Sequence, residues 1–525
     1  MADLEALGAL QLSVRDFGPI AEADIELRPL TVFIGPSNTG KSYLATLLHA
    51  LHHVFRDASS TRGWGPGTGP KLFPDRWIVD GEIRPSNNTL ADWLGNAALE
   101  TTPPTPWKSL RDATVPQAVS EDVHELCKVY FQGSEVLVAA LERCFGTGTE
   151  MQHLVRRNGQ ETARVSLRRW YDDASDPFES VRFDFMMGRG GKRTSEATLV
   201  CDTPFRTQMR GEGIVPKRST TDTRRLDTQA SQVQFTFNWA TEVVYEILLS
   251  YTRDLAGPLS YPSYYLPADR SGLLHMNRAV VGLLLRDSLL REREVTVPSL
   301  TGIAVDFLAG LIEMGDVAHE QRGEREGVAG ALEQKLLKGS VNVKSGGANY
   351  PSFSYRPDGW ERELSLTNSA SMVSELTPVV LFLRHKIRRG DTLVVEEPEA
   401  SLHPEAQAEL VLHLARLMHA GIRVVITTHS DWILEQFANL LRMSGLDNDE
   451  RKDLPGADAV LTRDQFGAWM FNHDEDVGGT VVKEIEFDPD EGGIASGFGP
   501  VAEYLYNTWA EIGNRISDRK LREQS

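Results

Sequence analysis

Residues 30–55, LTVFIGPSNTGKSYLATLLHALHHVF, limit the fold of this chain more than any other stretch. Leu30 to Ile34 is an apolar run of strand length. Gly35-Pro36-Ser37-Asn38-Thr39-Gly40-Lys41-Ser42 follows, and Leu44, Leu47, Leu48 and Leu51 then recur at helical spacing. Strand, tight loop and helix in this order form a unit of an α/β fold. The loop has the spacing G-x-x-x-x-G-K-[ST]. Its glycines let the backbone wrap closely round phosphate oxygens, with successive N–H groups pointing inward. The helix N-terminus adds its positive dipole end. On this spacing Lys41 reaches the β- and γ-phosphates of a nucleotide and Ser42 ligates Mg²⁺. Gly35, Pro36, Ser37, Asn38, Thr39, Gly40 and Tyr43 complete the expected nucleotide-binding set.

A second stretch, LVVEEPEASLHP at 393–404, runs from four apolar residues straight into two glutamates. Buried strands do not normally end in clustered like charges, because desolvated carboxylates are costly. A magnesium nucleotide and Lys41 would supply the missing positive charge. Glu396 then holds the Mg²⁺ shell, and Glu397 orients and deprotonates the attacking water. An acidic cap on a helix over 405–419 is the competing explanation. It accounts for Glu399, but not for two carboxylates directly after a strand.

With both stretches read, the chain resembles the ABC-type ATPases of the OLD, RecF and SMC group, and among them the stand-alone OLD-like AAA family ATPases. VRDFGPIAEADIELRPLTVFIGPSNTGKS resembles the family's opening hairpin and Walker A loop. EEPEASLHPEAQ resembles its Walker B and D-loop, and VVITTHSDWILEQF its switch region. Glu396 stands where many relatives carry aspartate. The resemblance covers about 1–55 and 260–440. It implies an α/β ABC-type head, a mixed-sheet P-loop core plus a helical signature lobe, with a large insertion. It implies ATP and Mg²⁺ as cofactors, and His429 as a sensor of the γ-phosphate. SLTNSASMVSELTPVVLFL, 365–383, resembles a degenerate signature motif, with Ser369 and Ser371 as hydroxyl donors; a plain serine N-cap is the simpler reading of the same residues. In such a family the signature serine of one protomer completes the nucleotide site of the other. The resemblance thus implies a head-to-tail homodimer or higher even oligomer closed round ATP, and a separately encoded effector, a nuclease or toxin, in anti-phage defence.

Between Lys41 and Glu396 lie 354 residues (396 − 41 − 1). No sustained heptads occur there, so a long coiled-coil arm is not expected. The expected organisation is an ATPase core from 1–55, 255–285 and 384–455, an insertion at 56–254, a helical lobe at 286–383 and a C-terminal hairpin and helix cap at 456–525. Strands are expected at SVRFDF, SQVQFTF, AVLTR, GAWMF and TVVKEIEFD, a hairpin at GSVNVKSGGANYPSFSYR, and helices over 121–145 and VVYEILLSYTRDL. Arg270, after the strand SYYLP, either touches phosphate or forms a salt bridge. Asp488, Asp490 and Glu491 are acidic and close, but DPDEGG also reads as a turn.

The net charge of −19 argues against a chain coated in nucleic acid. The charge is uneven, however: residues 151–226 hold 15 Arg/Lys against 10 Asp/Glu, so they carry +5 and the remainder −24. Arg156, Arg157, Arg168, Arg169, Lys192, Arg193, Arg224 and Arg225 could meet DNA or an acidic partner, or form a solvated face. A RecF-like DNA-repair ATPase and a nucleotide-dependent scaffold with little turnover therefore stay open as alternatives. Three cysteines, Cys127, Cys144 and Cys201, make no disulfide framework and suit a cytoplasmic protein. His124 and Cys127 could share a helix face but lack companion metal ligands. No apolar run reaches membrane-spanning length, and the acidic N-terminus is not that of a signal peptide.

Overall fold

The computed structural model describes residues 9–59, 135–146, 151–156, 158–171, 178–188, 195–200, 257–276, 300–314, 326–345 and 351–488, with short pieces at 78–79, 82–83, 493–494, 504 and 506–512. Along the chain the principal elements are β1 (Ala9–Phe17), β2 (Ile20–Glu26), β3 (Leu30–Ile34), α1 (Lys41–Ser59), α2 (Glu135–Phe145), β4 (Thr162–Tyr171), β5 (Phe178–Gly188), β6 (Ser195–Val200) and β7 (Ser263–Leu266). They continue with α3 (Gly302–Glu313), α4 (Glu326–Leu332), β8 (Gly339–Ser345), β9 (Pro351–Pro357), α5 (Ser371–His385), β10 (Thr392–Glu396), α6 (Pro404–His419), β11 (Arg423–Thr428), α7 (Asp431–Arg442), β12 (Phe466–Asp474) and β13 (Gly479–Glu484).

Eleven of the described strands build one mixed sheet in the order β6-β5-β4-β1-β2-β13-β12-β3-β11-β10-β7, while β8 and β9 stand in a separate small sheet. From β12 to β7 neighbouring strands run parallel. The fold is mixed α/β, as expected. Its parallel strands are buried on both faces, which is why LTVFI, TLVVE and RVVITT read as continuous apolar runs rather than alternations. The side-chain period of two divides them between two cores. Phe33, Val394 and Val425 meet Leu44, Leu47, Leu48 and Leu51 of α1 on one face. Leu30, Val32, Ile34, Leu393, Val395, Val424 and Ile426 meet α6 and α7, through Leu410, Leu414, Ile433 and Phe437, on the other.

Two sequence segments take places that local pattern did not indicate. The C-terminal hairpin β12–β13 does not cap the core: β12 pairs parallel with β3, Phe466 beside Leu30 through Met470 beside Ile34, and β13 pairs parallel with β2. GAWMF and TVVKE are strands as expected, but AVLTR is not. Ala459 and Leu461 are buried at 0% exposure from a loop, so hydrophobic burial alone produced that apolar run. Within the expected insertion, β4 pairs antiparallel with β1 and extends the core sheet outward through β5 and β6. SVRFDF falls in β5, and the hairpin β8–β9 forms at the expected place. SQVQFTF, VVYEILLSYTRDL and residues 121–134 lie outside the described residues.

Candidate active site

Register brings the chemistry to one edge. In parallel pairing Glu396 lies beside Thr427, Thr427 beside Phe33 and Thr428 beside Ile34. The Gly35 loop, Glu397 and His429 therefore all leave the sheet at the carboxyl ends of adjacent strands, where open α/β sheets present their ligand crevice.

The loop depends on backbone conformations that glycine permits. Gly35 has φ 144°, and a Cβ there would lie 2.4 Å from the Phe471 carbonyl oxygen. Gly40 has φ 99°, and a Cβ there would lie 2.7 Å from Pro19 Cγ. Asn38 takes the left-handed region at φ 65°, which asparagine tolerates better than most residues. Thr39 Oγ1 donates to the Pro36 carbonyl at 2.8 Å. Leu44 N donates to Gly40 O at 3.0 Å and closes the first helical turn. The amides before it point out of the helix end. Ser42 is exposed, while the Tyr43 ring packs on Phe145 with centroids 5.2 Å apart.

Lys41 does not extend from the loop. Its Nζ donates to Gly35 O at 2.9 Å and to Pro36 O at 2.7 Å, with the residue only 5% exposed. A buried ammonium needs acceptors, and the carbonyls of its own loop are the nearest. Burial pulls its pKa down to about 8, against the opposing pull of Glu397 and Glu399.

Glu396 closes β10, is 9% exposed, and accepts from Ala268 N through Oε2 at 3.0 Å. Burial, reinforced by the Glu396 charge, keeps the Tyr265 phenol well above its ordinary range. Glu397 has φ 43°, and its amide donates to Thr427 O at 2.8 Å. Left-handed backbone at a glutamate carries strain of order 1 kcal/mol. It turns a half-exposed side chain toward the crevice, where Oε1 lies 3.7 Å from His429 Nε2.

Glu399 has a different role from the helix cap considered above. The N-cap of α6 is His403, whose side chain accepts from Glu405 N at 3.4 Å. Glu399 Oε1 instead accepts from Thr428 Oγ1 and from His429 N, both at 2.7 Å, and so fixes the switch backbone to the acidic loop. Its Oε2 is buried and has no hydrogen-bond partner.

Arg270 is fully buried and resolves as structural. Its guanidinium donates to Glu396 O at 2.7 Å, Glu397 O at 3.2 Å, Pro267 O at 3.2 Å and, through Nε, Glu375 O at 3.0 Å. It also pairs with Glu375 Oε2 at 3.2 Å. One side chain thus joins the ends of β7 and β10 to helix α5. That helix starts at Ser371 behind Ala370 as N-cap, and no side chain caps it, so the serine N-cap reading fails. Ser369 Oγ donates to Ser365 O at 3.1 Å, and Ser371 is exposed at the helix start.

Pattern reading missed the roles of Glu399 and Thr428, and left Arg270 between a phosphate contact and the salt bridge that it forms with Glu375. It also passed over His49 and His53, four apart on α1, a spacing that by itself signals a shared helix face. Arg156 of the basic segment is bound internally, to Asp16 Oδ1 at 2.7 Å and to the carbonyls of Val477 at 3.1 Å and Gly478 at 3.0 Å. Arg157, Lys192, Arg193, Arg224, Arg225, His124, Cys127, Cys201, Asp490 and Glu491 lie outside the described residues. Among the described residues no helix is long and apolar enough to cross a membrane.

Among solved structures that resemble the chain are SMC heads, each at a low TM-score. One is an SMC head bound to the C-winged helix domain of ScpA, with 9% identity, TM-score 0.38, and coverage of 92% of this chain and 99% of that one. Another is the SMC head domain from Thermotoga maritima, with 9% identity, TM-score 0.35, and coverage of 91% and 99%. A third, derived from Pyrococcus furiosus, is an Smc head with an extended coiled coil bound to the C-terminal domain of ScpA, with 10% identity, TM-score 0.37, and coverage of 96% and 99%. No curated protein matches the chain by sequence. Residues 307–434, which include Ser369, Ser371, Glu396, Glu397 and His429, match the family model described as an AAA ATPase domain.

Proposed function

We propose that this chain is an ABC-type ATPase that binds ATP with Mg²⁺ and hydrolyses it at the edge formed by β3, β10 and β11. The observation that carries this reading is the convergence there of the Gly35–Ser42 loop, Glu397 and His429 from stretches more than 350 residues apart. The donor set suits Mg²⁺, a hard cation that takes oxygen ligands. The exposed Ser42 hydroxyl and the Glu396 carboxylate would hold it, and the orphaned Glu399 Oε2 supplies negative charge nearby. Bound Mg²⁺ would offset charge on the β- and γ-phosphates. Lys41 leaves its loop carbonyls for phosphate oxygens, which are stronger acceptors. Glu397 takes a proton from water as the water oxygen bonds to the γ-phosphorus. The bond from that phosphorus to the β–γ bridging oxygen breaks, and ADP leaves. His429, placed by Glu399, faces the transferred phosphoryl group.

Ser369, Ser371 and the uncapped start of α5 are read as the surface that meets the nucleotide of a second copy. The exposed Ser371 and the free helix end support that assignment. The resemblance of the two matching segments to OLD-like stand-alone ATPases supports a further step. ATP-driven closure would control a separately encoded nuclease or toxin, in anti-phage defence.

Light scattering on the full chain tests the reading. Glu397→Gln should retain ATP and double in mass with ATP and Mg²⁺ but not with ADP, whereas Lys41→Ala should retain no nucleotide. Constant mass would remove the composite site. Failure of the unaltered chain to bind any adenine nucleotide would remove the ATPase itself. Hydrolysis that ignores Glu397→Gln would leave a nucleotide-dependent scaffold.

A further inference from the structure

Further along α1 from the phosphate loop, three side chains point at one spot. His49 and His53 lie one turn apart on α1, and Asp306 comes from α3, more than 250 residues further along the chain. His49 Nε2 and His53 Nε2 are 3.3 Å apart. Asp306 Oδ2 is 3.3 Å from His53 Nε2 and 3.6 Å from His49 Nε2. These atoms form a nearly equilateral triangle. Tetrahedral ligands at the usual zinc–nitrogen distance of about 2.0–2.1 Å stand about 3.3–3.4 Å from one another. The triangle therefore matches one face of a zinc coordination tetrahedron before any ion enters.

Two further observations point to a ligand. Asp306 Oδ2 is buried, and the two imidazole nitrogens that face it are its nearest polar partners. Contacts of 3.3 and 3.6 Å satisfy a buried carboxylate oxygen poorly, and an ion between the three atoms would satisfy it better. The outer partners are also those of a metal centre. His49 Nδ1 is hydrogen-bonded to Ser263 Oγ at 2.7 Å, which directs its Nε2 to the centre. Arg143 donates to the other oxygen of Asp306 and fixes that carboxylate. Arg143 Nη1 also lies 3.2 Å from His53 Nε2. That contact is the one an ion would displace, and the arginine side chain is 43% exposed and free to yield. His49 is nearly enclosed, while 18% of the His53 side chain and 26% of the Asp306 side chain reach solvent. The fourth position thus opens outward.

We propose that His49, His53 and Asp306 bind a divalent transition metal of the zinc class, which staples α1, the helix that begins at Lys41, to α3. The ligand set of two imidazoles and one carboxylate excludes Mg²⁺ and Ca²⁺, which prefer oxygen. The site is separate from the nucleotide edge and needs no nucleotide to fill.

The test uses the full chain stripped with a chelator. Zn²⁺ titration by calorimetry should show one equivalent per chain at micromolar affinity or tighter. Co²⁺ should give the strong visible d–d absorption of a tetrahedral site. His53→Ala and Asp306→Asn should each weaken Zn²⁺ binding by about 100-fold or more, and Ser263→Ala by about tenfold. His473→Ala, at an exposed histidine on β12, should bind as the unaltered chain does. His53 is partly exposed, so its variant remains readable even where Asp306→Asn disturbs the packing of α3. Absence of stoichiometric Zn²⁺ and Co²⁺ uptake, or uptake unchanged in His53→Ala, would overturn the site.

Discussion

The sheet joins two halves built on different principles. From β12 to β7 the strands run parallel, are covered on both faces, and bury every residue of β3, β10 and β11. From β2 outward through β1, β4, β5 and β6 they are antiparallel. There burial alternates along β1: Leu10, Leu12 and Val14 are buried while Gln11, Ser13 and Arg15 are half-buried. The parallel half has its strand ends all facing one way, so loops distant in sequence collect at a single edge. The antiparallel half sends consecutive loops to opposite edges and gathers no such set. Two arginines mark the contrast. Arg270 is buried and holds backbone carbonyls and Glu375. Arg15, on β1, pairs with Glu22 at 3.0 Å and Asp24 at 2.7 Å from a side chain 37% exposed.

Substitutions should separate the two halves, and the largest effect belongs to chemistry at the parallel edge. Glu397→Gln should cut steady-state ATP turnover by about 10²–10⁴-fold, the range expected for loss of a positioned base, with ATP still bound in filter retention. Next in size is Arg270→Ala, which leaves Glu375 buried without its cation. It should cost about 3–5 kcal/mol in chemical unfolding. A loss comparable to that of a surface arginine would mean that Arg270 does not bracket the two strands and α5.

Smaller is the pH response of Lys41, whose ordinary value of 10.5 drops to about 8 in the folded chain. Above about 8 the lysine is neutral before nucleotide arrives and must take up a proton to meet phosphate. Apparent ATP affinity should therefore fall by up to about tenfold per pH unit as pH rises from there. The same shift acts oppositely on folding. Between about 8 and 10.5 the unfolded lysine holds its proton and the folded one does not, so the contribution of this group to stability rises with pH. Fluorescent-nucleotide titrations across that window, with Lys41→Ala as the control, check the first direction. Smallest of all is Arg15→Ala, expected to cost less than about 1 kcal/mol because exposed ion pairs contribute little. If it matched Arg270→Ala, the contrast between the halves would fail.

What was legible before folding is what needs only neighbours along the chain. Gly35, Gly40, Lys41 and Ser42 could be placed because a phosphate loop is set by backbone freedom at fixed spacing, and Glu396 and Glu397 because acid after an apolar strand is locally anomalous. The run from Val424 to His429 was visible for the same reason. Even so, local reading extended Lys41 toward phosphate, where the folded chain curls it onto Gly35 O and Pro36 O. It also made Glu399 a cap for the helix that His403 caps.

By itself, the sequence determined the strand–loop–helix unit, the apolar strands that must lie inside an α/β sheet, and the residue types available for nucleotide chemistry. These follow from dihedral preference and hydrophobic period, which act over a few residues. Only the tertiary structure decided that β12 would enter beside β3, that Arg270 would reach Glu375 across 105 positions, and that His49 and His53 would face Asp306. Those outcomes depend on which surfaces meet when the sheet closes and on which buried polar atoms must find partners there. No local pattern encodes a partner that lies hundreds of residues away.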